Sequence, residues 1–447
     1  MDLAATTPPQ PPRSDVSAMV GVAGLFGLFT WVAIARSWPH IALWLGLPGP
    51  YEPLSGPSAS VMALVFSALP MVAWSLWVEK VHLRPSTGIA WNQPRPLASV
   101  LHVSITKLAG LWATFAVIGV AYCILRYYWD GNYLFAMQMI GWAAVPVVLL
   151  SIPYVLWLDR VLVEPRDHCW HFGAMLIGRE AYDPHEVMHH ARAWVVKGFF
   201  TAFMISILPG GWHYIVTRDL AEVVTGPVPL AWFLIEVGFL VDVQIAMVGY
   251  LLTIRPLDSH IRSANPYLGG WVAALICYPP FLLMSGGPLD YHPNTADWGI
   301  WLDGHTALLW VWGAMLVALT WIYSWATVAF GLRFSNLTYR GVLTNGPYRF
   351  TRHPAYLAKN AFWWLATLPM LSTTGSPVDA IRNTVLLALV SAVYFWRAKT
   401  EEKHLLAEDA KYREYHAWMQ EHGIITSRLA RLMRLVRPRG PVLQPAE

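Results

Sequence analysis

Apolar stretches that approach or exceed the roughly 17–25 residues needed to cross hydrocarbon recur along almost the whole chain. They fall at about 18–36, 58–78, 99–126, 133–158, 194–216, 229–254, 267–285 and 304–332. A shorter pair follows at about 355–372 and 378–397. The pair is parted by Ser372-Thr-Thr-Gly-Ser-Pro377, a turn signal that makes it a helical hairpin. Inside a bilayer every backbone polar group must be satisfied within the protein, so segments of this length are helical. The expected fold is all-α: a polytopic integral membrane protein with about ten transmembrane helices. Pro279-Pro280 interrupts the seventh.

Composition agrees. Of 447 residues, 56% are hydrophobic and 13% charged, against roughly 25% charged in soluble chains. The 25 tryptophans suit membrane interfaces, where a flat apolar ring meets a polar N–H. A net charge of +4 is too small to imply nucleic acid as a partner. Cys123, Cys169 and Cys277 are widely spaced without a Cys-x-x-Cys, so neither a disulfide framework nor a cysteine metal site is expected.

The basic residues set the orientation. With the N-terminus inside, most of the 31 lysines and arginines fall in cytosolic segments. The outside loops hold only Arg36, Arg126 and Arg218. This bias places both termini in the cytosol and points to a bacterial inner (plasma) membrane. Residues 1–17, Pro-rich and polar, read as a disordered cytosolic tail. Residues 18–303 form a transmembrane region whose role the sequence does not state. Residues 304–426 carry most of the chemistry. In 427–447, Arg428, Arg431, Arg434 and Arg437 alternate with leucines, a pattern for a basic amphipathic helix on anionic lipid headgroups.

The densest motif is Asn345-Gly-Pro-Tyr-Arg-Phe-Thr-Arg-His-Pro-Ala-Tyr356, between a long span and a short one. Pro354 suits the first turn of the next helix. Two arginines, a histidine and two tyrosines thus lie on irregular backbone at a membrane surface, where such backbone lines a cavity or is buried in protein. A second cluster, Arg397-Ala-Lys-Thr-Glu401-Glu402, begins where the hairpin returns. Arg397 and Glu401 are four apart and share a helical face.

Together with Tyr412-x-x-Tyr415, these motifs resemble the isoprenylcysteine carboxyl methyltransferase and phospholipid methyltransferase superfamily, over about Ser335 to Trp418. The resemblance implies S-adenosylmethionine as cofactor. It would lie among Gly346, Pro347, Tyr348, Arg352, His353, Pro354, Tyr356, Leu357, Glu401, Glu402 and Tyr412. Arg397, Glu401 and His353 would act in the reaction, which is methyl transfer to a membrane lipid or lipid-linked acceptor. The chemistry suits that reading: a carboxylate is met by Arg, an ammonium by Glu, and adenine and sulfonium by aromatic faces. An amine acceptor must lose a proton, for which Glu401 or His353 are candidates. Family members place a glycine shortly after His-Pro-x-Tyr and another before Tyr-x-x-Tyr. Here Ala358-Lys359-Asn360 and Glu408-Asp409-Ala410 stand instead, on the acceptor side.

Three other readings compete. Sterol reductases carry a similar Arg-His-Pro-x-Tyr stretch and bind NADPH. His185-Glu-Val-Met-His189 matches the zinc-peptidase pattern, with His168, His171 and His190 nearby, although no metal is assigned. Glu236, Asp242 and Gln244 in the sixth span and Lys107 in the third would suit a transporter pathway, or an internal pair such as Lys107 with Asp242.

Overall fold

In a computed structural model of the protein, residues 10–368, 370–371 and 373–428 are described. The basic tail expected on the membrane surface lies almost wholly outside them. Among the described residues, eight helices are long and apolar enough to cross a membrane: α1 (Ala18–Trp44), α2 (Pro57–Val78), α3 (Leu97–Ile124), α4 (Tyr133–Val161), α6 (Pro184–Thr217), α8 (Pro227–Leu251), α11 (Thr306–Phe330) and α13 (Pro377–Glu408). Between and beyond them lie α5 (His168–Ile177), α7 (Leu220–Val223), α9 (Leu268–Leu275), α10 (Trp298–Trp301), α12 (Pro354–Thr367) and α14 (Ala410–His422). The starts of α1, α6 and α13 have local causes, and α6 begins well before its apolar stretch. Ser17 accepts from the Met19 N–H, Asp183 caps α6 before Pro184, and Ser376 caps α13 before Pro377.

Helix α8 is the centre of the bundle, with 67% of its most apolar window buried. It runs parallel to α11. Gly313 lies against Ala231, the Ser324 hydroxyl donates to Gly238 O at 2.7 Å, and Phe334 abuts Gly249. The connecting chain must therefore return the length of the helices. It does so through α9, irregular backbone over residues 276–297, and α10. The seventh apolar stretch is thus not one helix: α9 ends at Leu275, just before Pro279-Pro280. The irregular part is shielded by protein, with Cys277, Met284 and Tyr291 packed on Leu387, Val390 and Tyr394 of α13.

Helix α12 runs antiparallel to α11, since Lys359 lies beside Tyr323 while Trp312 Nε1 donates to Leu365 O at 2.8 Å. With 14 residues it is roughly 21 Å long, short of the roughly 30 Å of hydrocarbon. A two-residue antiparallel pair, Ser263–Ala264 with Thr338–Tyr339, joins the two halves and is an addition to the all-α expectation.

Lys107 and Asp242 are each engaged, but not as the expected pair. Lys107 meets Asp159 at 2.5 Å and Asp167 at 3.1 Å. Asp242 accepts from the hydroxyls of Tyr323 and Thr327. Residues 10–17 also differ from a disordered tail. Asp15 accepts from the Val342 N–H at 2.8 Å and pairs with Lys411. Thr344 donates to Pro12 O at 2.7 Å, and Asn345 to Val16 O at 2.7 Å.

Candidate active site

The site is set on a braced platform. Beyond the parallel ends of α8 and α11 the chain turns through residues 331–345, where Arg340 is buried. Its guanidinium donates to carbonyls of Gly249, Ser259, Leu332 and Phe334. Helix C-termini leave carbonyls without partners, and one guanidinium serves two such ends here. Arg333 pairs with buried Asp258, which also meets Arg84 at 3.7 Å and Arg262 at 3.5 Å. The motif loop starts from this platform. Gly346 adopts φ +56°, and a Cβ there would stand 3.4 Å from Ala329 and from Trp325 Nε1. The loop ends where Pro354 opens α12.

Helix α13 returns beside it with Arg397, Glu401 and Glu402. Arg397 is 3% exposed. It meets Glu401 at 3.3 Å, Asn336 Oδ1 at 2.6 Å and Tyr278 Oη at 3.4 Å, between the rings of Tyr278 and Tyr356. Tyr356 donates its hydroxyl to Glu401 and stacks on His353. Glu402 gathers two cations and an imidazole: Arg352 Nε at 2.9 Å, Lys399 Nζ at 2.7 Å and His353 Nε2 at 3.0 Å.

Between these elements lies a cavity of about 190 Å³. Of the residues expected at the site, Tyr348, Arg352, His353, Tyr356, Arg397, Glu401 and Tyr412 line it. Gly346, Pro347 and Pro354 shape the loop without lining it. Glu402 stands behind Arg352 and His353 as their brace. Leu357 is 38% exposed and is not among the lining residues, because one residue beyond Tyr356 the helix has turned by about 100°.

Sequence reasoning missed Asn265, Tyr278, Tyr323, Asn336 and Tyr394, which complete the wall. Tyr278 had a usable signal. It precedes the Pro279-Pro280 interruption, and broken backbone at membrane depth is tolerated where it lines a cavity or is buried. The others are lone polar residues outside any motif.

The donors suit S-adenosylmethionine. Arg352 Nη1 and Tyr339 Oη are buried without a hydrogen-bond partner, and the Arg352 Nε–H does not align with Glu402 despite its closeness. Orphaned donors in a cavity fit a carboxylate. Glu401 supplies an acceptor for an ammonium, and Tyr348, Tyr356 and Tyr412 supply ring faces. Burial holds the Tyr412 and Tyr348 phenols well above their ordinary values, so both stay neutral donors.

The histidine pattern is not built like a metal centre. His185 is exposed, and His189 faces Glu186 of its own helix at 3.6 Å. His168 Nδ1 and His190 Nδ1 lie 3.0 Å apart, and His190 Nε2 is 2.7 Å from Thr114 Oγ1. Among the described residues, no three His, Cys, Asp or Glu side chains gather at metal-binding distance.

Residues 305–407 match the isoprenylcysteine carboxyl methyltransferase family model. The match covers α11, the motif loop, α12 and nearly all of α13, so the C-terminal region is similar to a membrane methyltransferase domain, as its motifs implied. No curated protein and no solved structure matches the chain.

Proposed function

We propose that the protein is an S-adenosylmethionine-dependent methyltransferase acting on a lipid or lipid-linked acceptor at the cytosolic face of a bacterial inner membrane. The carrying observation is the convergence of Arg352, His353 and Tyr356 with Arg397 and Glu401 on one cavity, within the segment that matches the family. Arg352 would take the cofactor's carboxylate and Glu401 its ammonium. Bound there, the cofactor supplies an electrophilic methyl group. The protein's share is position, since aligning two reactants removes much of the barrier to an in-line displacement. Arg397, held between two rings, fixes Glu401 and Tyr356. A carboxylate acceptor needs no proton removed; for an amine, Glu401 and His353, which both line the cavity, are the candidate bases.

The topology we infer is ten passes with both termini cytosolic. Eight are the long helices, one is residues 252–305, and one is α12 with the loop after it. Helix α12 supports this, because the loop beyond it reaches Ala296, whose N–H donates to Leu371 O at 3.4 Å. Residues 427–447 would rest on anionic headgroups.

Calorimetry with S-adenosylhomocysteine on the detergent-purified full chain tests the reading. Binding is expected, weakened at least about tenfold by His353→Ala or Glu401→Ala. Binding of NADPH in its place would overturn it in favour of a reductase.

A further inference from the structure

The cavity continues below the level of the cofactor motifs. Lys359 lines its deep end, within the membrane-spanning part of the bundle. The ammonium lies 5.3 Å from the ring centres of Tyr323 and Trp363 and 5.7 Å from that of Tyr394. Every other cation of the cavity wall has an anion or carbonyls against it. Arg333 has Asp258, Arg340 has four carbonyls, Arg352 has Glu402, and Arg397 has Glu401 and Asn336. Lys359 Nζ has no hydrogen-bond partner and no carboxylate within 4.0 Å among the described residues. Asp242, at the same depth, is engaged by the hydroxyls of Tyr323 and Thr327. The Asp242 carboxylate acts on the ammonium only from beyond 4.0 Å, and a sequestered ammonium whose direct contacts are ring faces is costly unless a ligand completes its shell.

We propose that Lys359 binds an anionic group of the acceptor, a phosphate or a carboxylate, separate from the atom that receives the methyl group. This rests on reading the cavity as a methyltransferase site. Depth argues for a second group. Lys359 is level with Tyr394, and Arg397 and Glu401 lie three and seven residues farther along α13, roughly 4.5 and 10 Å at 1.5 Å per residue. One carboxylate cannot reach both Lys359 and the level of Glu401. A hydrocarbon tail alone would not be matched to a charged deep end either. The acceptor therefore carries its reactive atom near Arg397 and Glu401 and an oxyanion farther in.

The test is calorimetry on the full chain in a neutral maltoside detergent at pH 7.5, saturated with S-adenosylhomocysteine, with decyl phosphate, decanoate and decanol as probes. Decyl phosphate or decanoate is expected to bind at least about tenfold more tightly than decanol. The tighter of the two names the phosphate or the carboxylate source. Lys359→Met should bring both anions to the decanol level while keeping S-adenosylhomocysteine affinity. Lys359→Arg should retain the preference, which separates loss of charge from loss of fold. Equal binding of the three probes by the native protein, or an unchanged preference in Lys359→Met, would overturn the proposal. Failure of S-adenosylhomocysteine to bind, with the Lys359-dependent preference intact, would remove the methyltransferase reading and support the anion site.

Discussion

Replacing Glu402 by Gln keeps the shape of the side chain and removes its charge. The carboxylate is 6% exposed and faces Arg352 (10% exposed), His353 (19%) and Lys399 (44%). The Lys399 contact is screened by water and contributes about 0–1 kcal/mol. The Arg352 contact is buried on both sides, and removing one partner of such a pair costs about 3–5 kcal/mol, because the other charge is left unpaired. Gln still offers His353 a hydrogen-bond acceptor, so a cost of about 2–4 kcal/mol is expected. Part of it falls on the cofactor site, because Arg352 loses the group that fixes its guanidinium. If 1.4–2.8 kcal/mol is lost in binding, S-adenosylhomocysteine affinity falls by about 10–100-fold. Lys399→Met serves as the internal control and should change affinity by less than about twofold. Calorimetry and thermal unfolding in detergent read both variants. Equal effects of the two substitutions would refute the reasoning, as would an unchanged melting temperature and affinity in Glu402→Gln.

Cutting the Asp15 strap with Asp15→Ala removes a charge-assisted bond to Val342 and the Lys411 ion pair, about 1–2 kcal/mol for a partly exposed site. Amide exchange at residues 342–345 should then rise by about tenfold, and unchanged exchange counts against the strap. Gly346→Ala forces a side chain into φ +56°, at about 1–2 kcal/mol, and should lower both melting temperature and S-adenosylhomocysteine affinity. Burial, only partly opposed by Asp167, lowers the His168 pKa from 6.5 to about 4. The unfolded chain therefore takes up the proton first, and stability falls as pH drops from about 6.5 to 4. Thermal unfolding of His168→Gln should show a shallower slope across that window, and an identical slope would contradict the assignment.

The long spans were legible because a run of twenty apolar residues has few folded solutions, although the polar first turns of α6, from Pro184, fall outside its apolar stretch. The motif loop and the Arg397 cluster were legible because short-range spacing holds their residues together. Long-range pairing was not. Lys107 has acids in many segments, and its true partners, Asp159 and Asp167, are 52 and 60 positions away with nothing in the pattern to select them over Asp242. The tail at 10–17 looked unstructured because its order comes from distant partners, chiefly residues 342–345 and Lys411. Leu357 fell inside the motif but on the wrong side of the helix, a direction that spacing along an irregular loop does not fix.

The shielding of the irregular segment by α13 sets a schedule for the protein's synthesis. Tyr278 and its neighbours leave the ribosome about a hundred residues before Leu387 and Val390, the side chains that help cover them. At roughly 5–20 residues per second, polar backbone waits some 5–20 seconds for its cover. A strictly sequential release of helices into lipid would strand it. The second half must be held by the insertion machinery, or by the N-terminal bundle, until α13 arrives, and a chain stopped before residue 377 should be a substrate for membrane quality control.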